Sequence, residues 1–286
     1  MKIVTRVIDK IGCEFYRKKL NEYLISHGRK TSMSDDELYP AFCEAAAQDA
    51  AIFEDFRRNY IYNRILEHLS KEQGKEYLDV ILSNKSYVNE INWNNIIEND
   101  IVGKPRKYKY IIEKQKYSIA PTTIRYAKVL QDLLCIFDVK NVDNIVEIGV
   151  GYGGQCRVLM ENLNTKRYAL YDLPEVLKLS KRYLSNFKID GEVQYIDGTT
   201  EFSEQQCDLL ISNYAFSELT RTVQKVYLDK LIKNAKAGYI TWNALSYKEL
   251  DGYSVQELLE RIPGARVIDE IPLTAEGNCI IVWGTK

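Results

Sequence analysis

The sequence predicts an α/β fold in which a helical N-terminal part precedes a largely parallel β-sheet. Three observations support this prediction. Apolar residues recur at helical spacing through the first third of the chain, short apolar strands alternate with helices from Asn144 onward, and the last two strands follow each other without a helix between them. Alternating strands and helices are typical of a parallel sheet that is covered by helices on both faces.

The composition favours a soluble protein with one large or two small domains. The chain has 286 residues and a formal net charge of −1, so a nucleic-acid partner is not expected. No stretch approaches the roughly 18 consecutive apolar residues of a membrane span. The six cysteines form no CxxC pair, which is typical of free thiols in a reducing compartment. We therefore expect a cytoplasmic protein without a membrane span.

Residues 1–98 are predicted to form a helical domain. Residues 34–37, Ser-Asp-Asp-Glu, have the pattern of a capping box at the start of a helix. Between residues 39 and 69, apolar side chains recur at helical spacing with charged residues between them, as on a helix with one solvated face. The only two histidines of the sequence, His27 and His68, lie in this part.

Residues 99–120 are predicted to form a connector or a lid loop. Gly103 and Pro105 interrupt regular structure, and a run of lysines and tyrosines follows. A nucleic-acid surface is disfavoured here, because the net charge of the whole chain is close to zero in spite of this basic run. A solvated connector and a substrate loop both remain open, since loops over a scaffold often carry function.

Residues 121–286 are predicted to form the sheet domain. Pro121 starts a helix that runs to about Phe137. The strand candidates that follow are residues 145–150, 167–171, 193–196, 207–212, 238–243, 265–268 and 279–283. The helix candidates are residues 154–163, 175–186, 221–234 and 254–261. The last two strands predict a hairpin that inserts one antiparallel strand at the sheet edge.

A glycine-rich segment lies where the first of these strands turns into a helix. Gly149, Gly151 and Gly153 allow the backbone to bend sharply and approach a ligand, and the N–H groups of the next helix point at that ligand. Such a turn alone is compatible with NAD, FAD or S-adenosylmethionine (AdoMet). The G-x-G-x-G spacing and the acidic Glu147 two residues earlier favour AdoMet, although Gly154 also supplies an imperfect dinucleotide pattern.

Polar residues also end the next strands, where α/β sheets bind their ligands. The Asp172 carboxylate, followed by Leu173, can accept hydrogen bonds from both hydroxyls of a ribose, or it can cap the following helix. Asn213 ends the fourth strand at the same edge. Together these positions predict a cofactor crevice along one sheet edge.

Three segments resemble the bacterial sugar O-methyltransferase family, which is AdoMet-dependent and has the class I methyltransferase fold. They are residues 118–129 (SIAPTTIRYAKV), 145–155 (IVEIGVGYGGQ) and 212–219 (SNYAFSEL). The resemblance extends over roughly residues 99–286, with Val150 in place of an expected glycine. It implies a Rossmann-like seven-stranded sheet whose last strand is antiparallel. It also implies methylation of a sugar hydroxyl in surface polysaccharide or glycan biosynthesis.

The resemblance also implies roles for individual cofactor-site residues. Glu147 would lie near the methionyl amino group of AdoMet. Asp197 and Gly198, which end the third strand, would contact the adenine region. Gln155 and Thr122 would make further contacts.

Methylation of a sugar hydroxyl needs a group that removes its proton, because such a hydroxyl is a poor acid. Glu218 is our preferred base, since it follows the fourth strand by about one helical turn. It could instead be a carboxylate at a helix N-terminus. Tyr214 could orient the hydroxyl, stack on a sugar face or belong to the core. A histidine base is disfavoured unless the N-terminal domain folds over the site. No metal is predicted, because no compact cluster of ligands is visible.

The acceptor site is predicted from residues on both sides of the cofactor crevice. Arg125 and Tyr126 are candidates for binding the cofactor carboxylate or an anionic acceptor, and Asn243 could face the acceptor. Arg125 could also form a salt bridge on a solvated helix face. We expect a small-molecule or glycan acceptor, including nucleotide sugars, and leave a homodimer open.

Three alternatives to a sugar O-methyltransferase remain open. The first is methylation of another small molecule or of an amino-sugar nitrogen, which the fold alone does not separate. The second is an inactive scaffold, which the retained glycines and acids disfavour. The third is an NAD-dependent enzyme, which the glycine spacing and the final hairpin disfavour.

Overall fold

A computed structural model describes residues 38–87, 90–200 and 202–286. The N-terminal helices are α1 (Leu38–Gln48), α2 (Ala50–Glu54), α3 (Tyr60–Ile65), α4 (Lys71–Ser83) and α5 (Trp93–Glu98). A hairpin, β1 (Tyr108–Ile112) and β2 (Gln115–Ile119), then leads into α6 (Pro121–Ile136). The predicted capping box at residues 34–37 and His27 lie outside the described residues.

The sheet domain alternates strands and helices as predicted. Its strands are β3 (Asn144–Ile148), β4 (Arg167–Asp172), β5 (Glu192–Asp197), β6 (Cys207–Asn213), β7 (Ala235–Trp242), β8 (Arg266–Asp269) and β9 (Cys279–Trp283). Its helices are α7 (Gly154–Asn162), α8 (Pro174–Leu184), α9 (Arg221–Lys230), α10 (Ser246–Glu249) and α11 (Val255–Arg261).

The seven strands form one sheet in the order β5-β4-β3-β6-β7-β9-β8. Strands β3 to β7 are parallel, and β9 is antiparallel to both β7 and β8. This order confirms the predicted seven-stranded methyltransferase-type sheet with its antiparallel last strand. That strand lies one position inside the sheet, because β8 occupies the edge. The strand order reverses between β3 and β6, which opens a crevice at their carboxyl ends.

The N-terminal helices pack directly on the glycine-rich turn. Helix α1 contacts α8, and α4 contacts α6. The ring of Tyr152, in the turn, lies 5.8 Å from the Phe56 ring and 6.3 Å from the Tyr62 ring. These aromatic side chains are buried in a single hydrophobic cluster with side chains of the sheet. The helical region and the cofactor turn therefore share a core.

An ion-pair network is buried beside this aromatic cluster. The Arg57 guanidinium pairs with Glu67 and lies 3.1 Å from the Asp100 carboxylate. It also lies 4.6 Å from the centre of the Tyr152 ring. Asp100 in turn accepts hydrogen bonds from Thr123 and from the Ala120 amide. The network links the N-terminal helices, the segment before the hairpin and the start of α6.

The segment predicted as a connector or lid loop contains an ordered hairpin. Tyr110 and Ile112 of β1 are buried, whereas Lys109 and Ile111 are exposed. Glu113 and Lys114 form its turn with φ angles of 47° and 70°. Such two-residue turns usually contain glycine or asparagine, so Glu113 and Lys114 do not indicate a turn by their residue types. The hairpin was not predicted from the sequence, and the role of residues 99–120 as a connector or lid stays a prediction.

Within the described residues, no helix is long and apolar enough to cross a membrane.

Candidate active site

The glycine-rich turn connects β3 to α7, as predicted. Gly149 has φ +78°, and a Cβ at this position would lie 1.9 Å from the Cβ of Ala215. Gly151 has φ +54°, and a Cβ there would lie 2.5 Å from a methyl group of Leu66. Both positions therefore require glycine, for backbone conformation and for space.

Glu147 is buried at the end of β3 with little to stabilise its charge. Its carboxylate accepts a hydrogen bond from the Tyr168 hydroxyl at 2.8 Å. Burial raises the pKa of this carboxyl to about 8, and the nearby Asp172 charge adds to the effect. A cation placed beside Glu147 would favour its ionised form and lower that pKa. The site is therefore chemically suited to an ammonium group.

Asp172 holds the glycine-rich turn in place. One carboxylate oxygen accepts hydrogen bonds from the Val150 and Gly151 amides at 2.6 and 3.2 Å, and the other accepts from the Leu173 amide at 2.7 Å. Burial raises the pKa of the Asp172 carboxyl to about 6, although these three hydrogen bonds oppose the shift. The N-cap residue of α8 is Leu173 rather than Asp172, so the alternative of a helix-capping aspartate was wrong.

Two adjoining cavities lie at the carboxyl ends of the parallel strands. The outer cleft runs beside β4 and α9, and its lining includes Tyr171, Asp172, Leu173, Gly198, Thr199 and Tyr227. The inner chamber lies between the sheet and the N-terminal helices, and its lining includes Glu147, Gly151, Tyr126, Asn213, Tyr214 and Asn243. Both cavities are also lined by four shared residues, Gly149, Asp172, Ala215 and Glu218. The shared residues make the two cavities parts of one crevice.

Four of the residues that were assigned to the cofactor site, Thr122 among them, do not line either cavity. Gly153 caps α7 in a left-handed conformation. Gln155 is buried, and its amide donates to the Tyr126 carbonyl at 3.5 Å. The Asp197 carboxylate accepts hydrogen bonds from the amide and hydroxyl of Thr199 at 2.8 and 2.6 Å. Their predicted roles toward the cofactor stay predictions.

Glu218 lies where the outer cleft and the inner chamber meet. It ends a short 3-10 helix, Ala215–Glu218, and lies before the N-cap residue Thr220 of α9. Its carboxylate accepts a hydrogen bond from the Asn243 side chain at 2.9 Å, and burial raises its pKa above the ordinary value. Glu218 therefore lies outside the first turn of α9, which is where a carboxylate at a helix N-terminus would be expected.

Tyr214 is held by contacts to its hydroxyl group and to its ring. Its hydroxyl donates to the Glu270 carboxylate and lies 3.3 Å from the Thr274 hydroxyl. The Arg125 guanidinium lies 5.9 Å from the ring centre. Burial raises the pKa of the Tyr214 hydroxyl, so it stays protonated at neutral pH. The ring lines the inner chamber and is not a plain core aromatic.

The inner chamber also contains residues that the sequence analysis did not assign to the site. They are Tyr39, Ile65, Leu66, His68, Leu69 and Gln73 from the N-terminal region, and Thr274, Ala275 and Asn278 before β9. His68 is exposed overall, but partial desolvation and the Arg125 charge lower the pKa of its imidazole, which favours the neutral form. A histidine base was disfavoured from the sequence unless the N-terminal domain folds over the site. Because His68 lines the inner chamber, that condition is met.

No group of three or more histidine, cysteine, aspartate or glutamate side chains in residues 38–87, 90–200 and 202–286 is arranged to hold a metal ion.

Residues 108–213 match the O-methyltransferase domain family. The matched segment runs from the hairpin through the glycine-rich turn to the end of β6. It confirms the predicted enzyme class, an AdoMet-dependent methyltransferase, for this part of the chain, and with it AdoMet as the cofactor. The match does not extend to the N-terminal helices or to the strands after β6. No curated protein sequence matches the chain.

Solved structures of several methyltransferases are similar to this chain. Mitomycin 7-O-methyltransferase MmcR is 17% identical over 56% of each chain, with a TM-score of 0.40. The methyltransferase domain of bacterial CtHen1-CN is 12% identical over 56% of this chain and 96% of its own, with a TM-score of 0.44. A methyltransferase from Aquifex aeolicus is 17% identical over 56% of this chain and 88% of its own, with a TM-score of 0.42. The chain thus covers about half of the mitomycin enzyme.

Proposed function

We propose that the protein transfers the methyl group of AdoMet to a hydroxyl group of a sugar acceptor in glycan biosynthesis. One observation carries this proposal. The glycine-rich turn, with Glu147 and Asp172 beside it, opens into a chamber that polar and aromatic side chains close from the opposite side. The match of residues 108–213 to an O-methyltransferase domain supports the choice of hydroxyl oxygen as acceptor.

The two cavities suit different parts of the reaction. The outer cleft, beside Asp172, Gly198 and Tyr227, would take the ribose and adenine of AdoMet. Glu147, on the inner side, would pair with its ammonium group. The sulfonium methyl group would then lie between them, near Glu218, and the acceptor would fill the inner chamber.

The chemical step is an in-line displacement at the methyl carbon. The acceptor oxygen forms a bond to that carbon, the carbon–sulfur bond breaks, and its electron pair stays on sulfur as a neutral thioether. The hydroxyl proton must go to a base. Glu218 is our first candidate, because Asn243 holds its carboxylate at the junction of the two cavities. Neutral His68 is the second, because it lines the same chamber.

The chamber lining favours a sugar over a purely apolar acceptor. It combines tyrosine rings with amide side chains, namely Tyr39, Tyr126 and Tyr214 with Gln73, Asn243 and Asn278. Tyrosine presents both an apolar ring and a polar tip, and amides offer both donors and acceptors. Each of these amides already has a hydrogen bond within the protein. A ring bearing several hydroxyl groups could add hydrogen bonds to their remaining N–H donors, which an apolar ring could not do.

A methyl-transfer assay tests the acceptor class. The protein would be incubated with methyl-labelled AdoMet and, separately, with nucleotide sugars, acidic and neutral oligosaccharides, amino sugars and small phenols. We expect label on a sugar oxygen with one S-adenosylhomocysteine (AdoHcy) formed per transfer. Transfer to phenols without transfer to any sugar would contradict the sugar proposal, and label on nitrogen would support the amino-sugar alternative.

A further inference from the structure

Arg125 differs from the other shielded arginines of the protein. Five arginines in the described residues are wholly or partly buried. Arg57, Arg157 and Arg221 form ion pairs with carboxylates. Arg182 donates hydrogen bonds to backbone carbonyls. Arg125 alone among these five has neither an ion pair nor a side-chain hydrogen bond within the described residues. Its guanidinium contacts the ring of Tyr214 instead.

The Arg125 guanidinium is partly buried but can still be reached from the cavities. It has five N–H donors, and its nitrogens are not among the side-chain atoms that are buried without a hydrogen-bond partner. Such a group is therefore a reasonable place for a ligand that supplies the missing acceptors. Paired oxygens on one atom, as in a carboxylate or a phosphate, match the guanidinium fork.

The position of Arg125 is on the acceptor side of the chamber. It lines the inner chamber and also a side recess that lies beyond it, together with Tyr77, Asn213, Tyr214 and Glu270. None of the glycines of the cofactor turn lines that recess. Two carboxylates face the recess, but both have partners. Glu270 accepts hydrogen bonds from Tyr214 and Thr274, and Asp132 pairs with Lys128.

We propose that Arg125 binds a carboxylate or phosphate group of the acceptor, so that the enzyme methylates an acidic sugar. This inference rests on the proposed function and adds the charge of its substrate. The guanidinium would hold the anionic group at the recess, and the hydroxyl to be methylated would then point back toward Glu218. AdoMet also carries a carboxylate, which Arg125 could bind instead. The experiment must therefore distinguish an anionic acceptor from the cofactor as the ligand of Arg125.

Calorimetric titrations of the protein saturated with AdoHcy test the proposal. The probes are glucuronate, glucose 6-phosphate and neutral glucose, which supply a carboxylate, a phosphate and no charge. We expect at least one anionic probe to bind at least about tenfold more tightly than glucose. Arg125→Met should remove that difference, and Arg125→Lys should restore part of it, because lysine keeps the charge without the fork.

Two readouts separate this proposal from its competitors. The affinity of Arg125→Met for AdoHcy should stay within about twofold of the wild type, well below the tenfold that corresponds to about 1.4 kcal/mol. Lys166→Met, which removes an exposed cation paired with Asp143, controls for net charge and should bind all probes normally. A large loss of AdoHcy affinity in Arg125→Met would assign the guanidinium to the cofactor carboxylate and overturn the proposal. Equal binding of glucose and the acidic sugars, or no binding of either acid, would also overturn it. If AdoHcy did not bind the wild type, the proposed function itself would fail.

Discussion

Replacing Glu218 with glutamine is expected to lower kcat by roughly 10²–10⁴ and to leave the affinity for AdoHcy nearly unchanged, because general-base catalysis contributes a factor of that size. Glutamine keeps the length of the side chain, and its carbonyl oxygen can still accept the hydrogen bond from Asn243. It cannot accept a proton at neutral pH. The variant therefore separates the basicity of residue 218 from its shape.

The pH dependence of kcat gives a second readout for the same change. Only the ionised carboxylate can act as a base, and burial raises the Glu218 pKa. Activity of the wild type should therefore rise as the pH passes upward through that raised value, and Glu218→Gln should lose this rise. Glu260→Gln, at an exposed position on α11, is the matched control and should change neither readout. Unchanged turnover in Glu218→Gln, with the pH response lost instead in His68→Gln, would transfer the role to His68.

Replacing Arg57 with methionine is expected to lower the free energy of unfolding by about 3–5 kcal/mol, as is typical when one partner of a buried ion pair is removed. Arg57 is fully buried, and the change would leave the carboxylates of Glu67 and Asp100 without their cation. Contact with the Tyr152 ring would also be lost. The cofactor turn and the N-terminal helices should both be weakened.

Urea unfolding measures the effect of the Arg57 change. Lys75→Met is the control, because Lys75 and Asp79 form an ion pair in which both side chains are largely exposed. Such pairs contribute little, so this variant should unfold almost as the wild type does. If Arg57→Met lowered the unfolding free energy by less than about 1 kcal/mol, its pairs would behave like surface ion pairs, and the account of the buried network would be wrong.

Most of the fold could be predicted from local sequence patterns. The alternation of strands and helices after Asn144 led to the seven-stranded sheet, and the absence of a helix between the last two strands led to the antiparallel strand β9. The β1–β2 hairpin was missed because its turn residues, Glu113 and Lys114, adopt positive φ angles without the usual glycine or asparagine.

The residues of the cofactor site could be predicted from the sequence more completely than those of the acceptor site. Glycines and acids at strand ends are local signals, so the cavity lined by Glu147, Gly149 and Asp172 could be anticipated. The hydrogen bonds that the amides of the glycine-rich turn donate to Asp172 could not be anticipated, because they join two separate strand ends. The position of His68 in the chamber depends on how the N-terminal helices pack against the sheet domain. No local sequence motif predicts that packing.

Calorimetric titration with AdoHcy, with NAD as the parallel control, shows whether the crevice binds AdoMet. We expect micromolar binding of AdoHcy and none of NAD. Asp172→Ala should weaken AdoHcy binding by about 1–3 kcal/mol, because a hydrogen-bonding charged group is lost. Binding of NAD alone would assign the glycine-rich turn to a dinucleotide, and the absence of binding by either compound would contradict the enzyme that we propose.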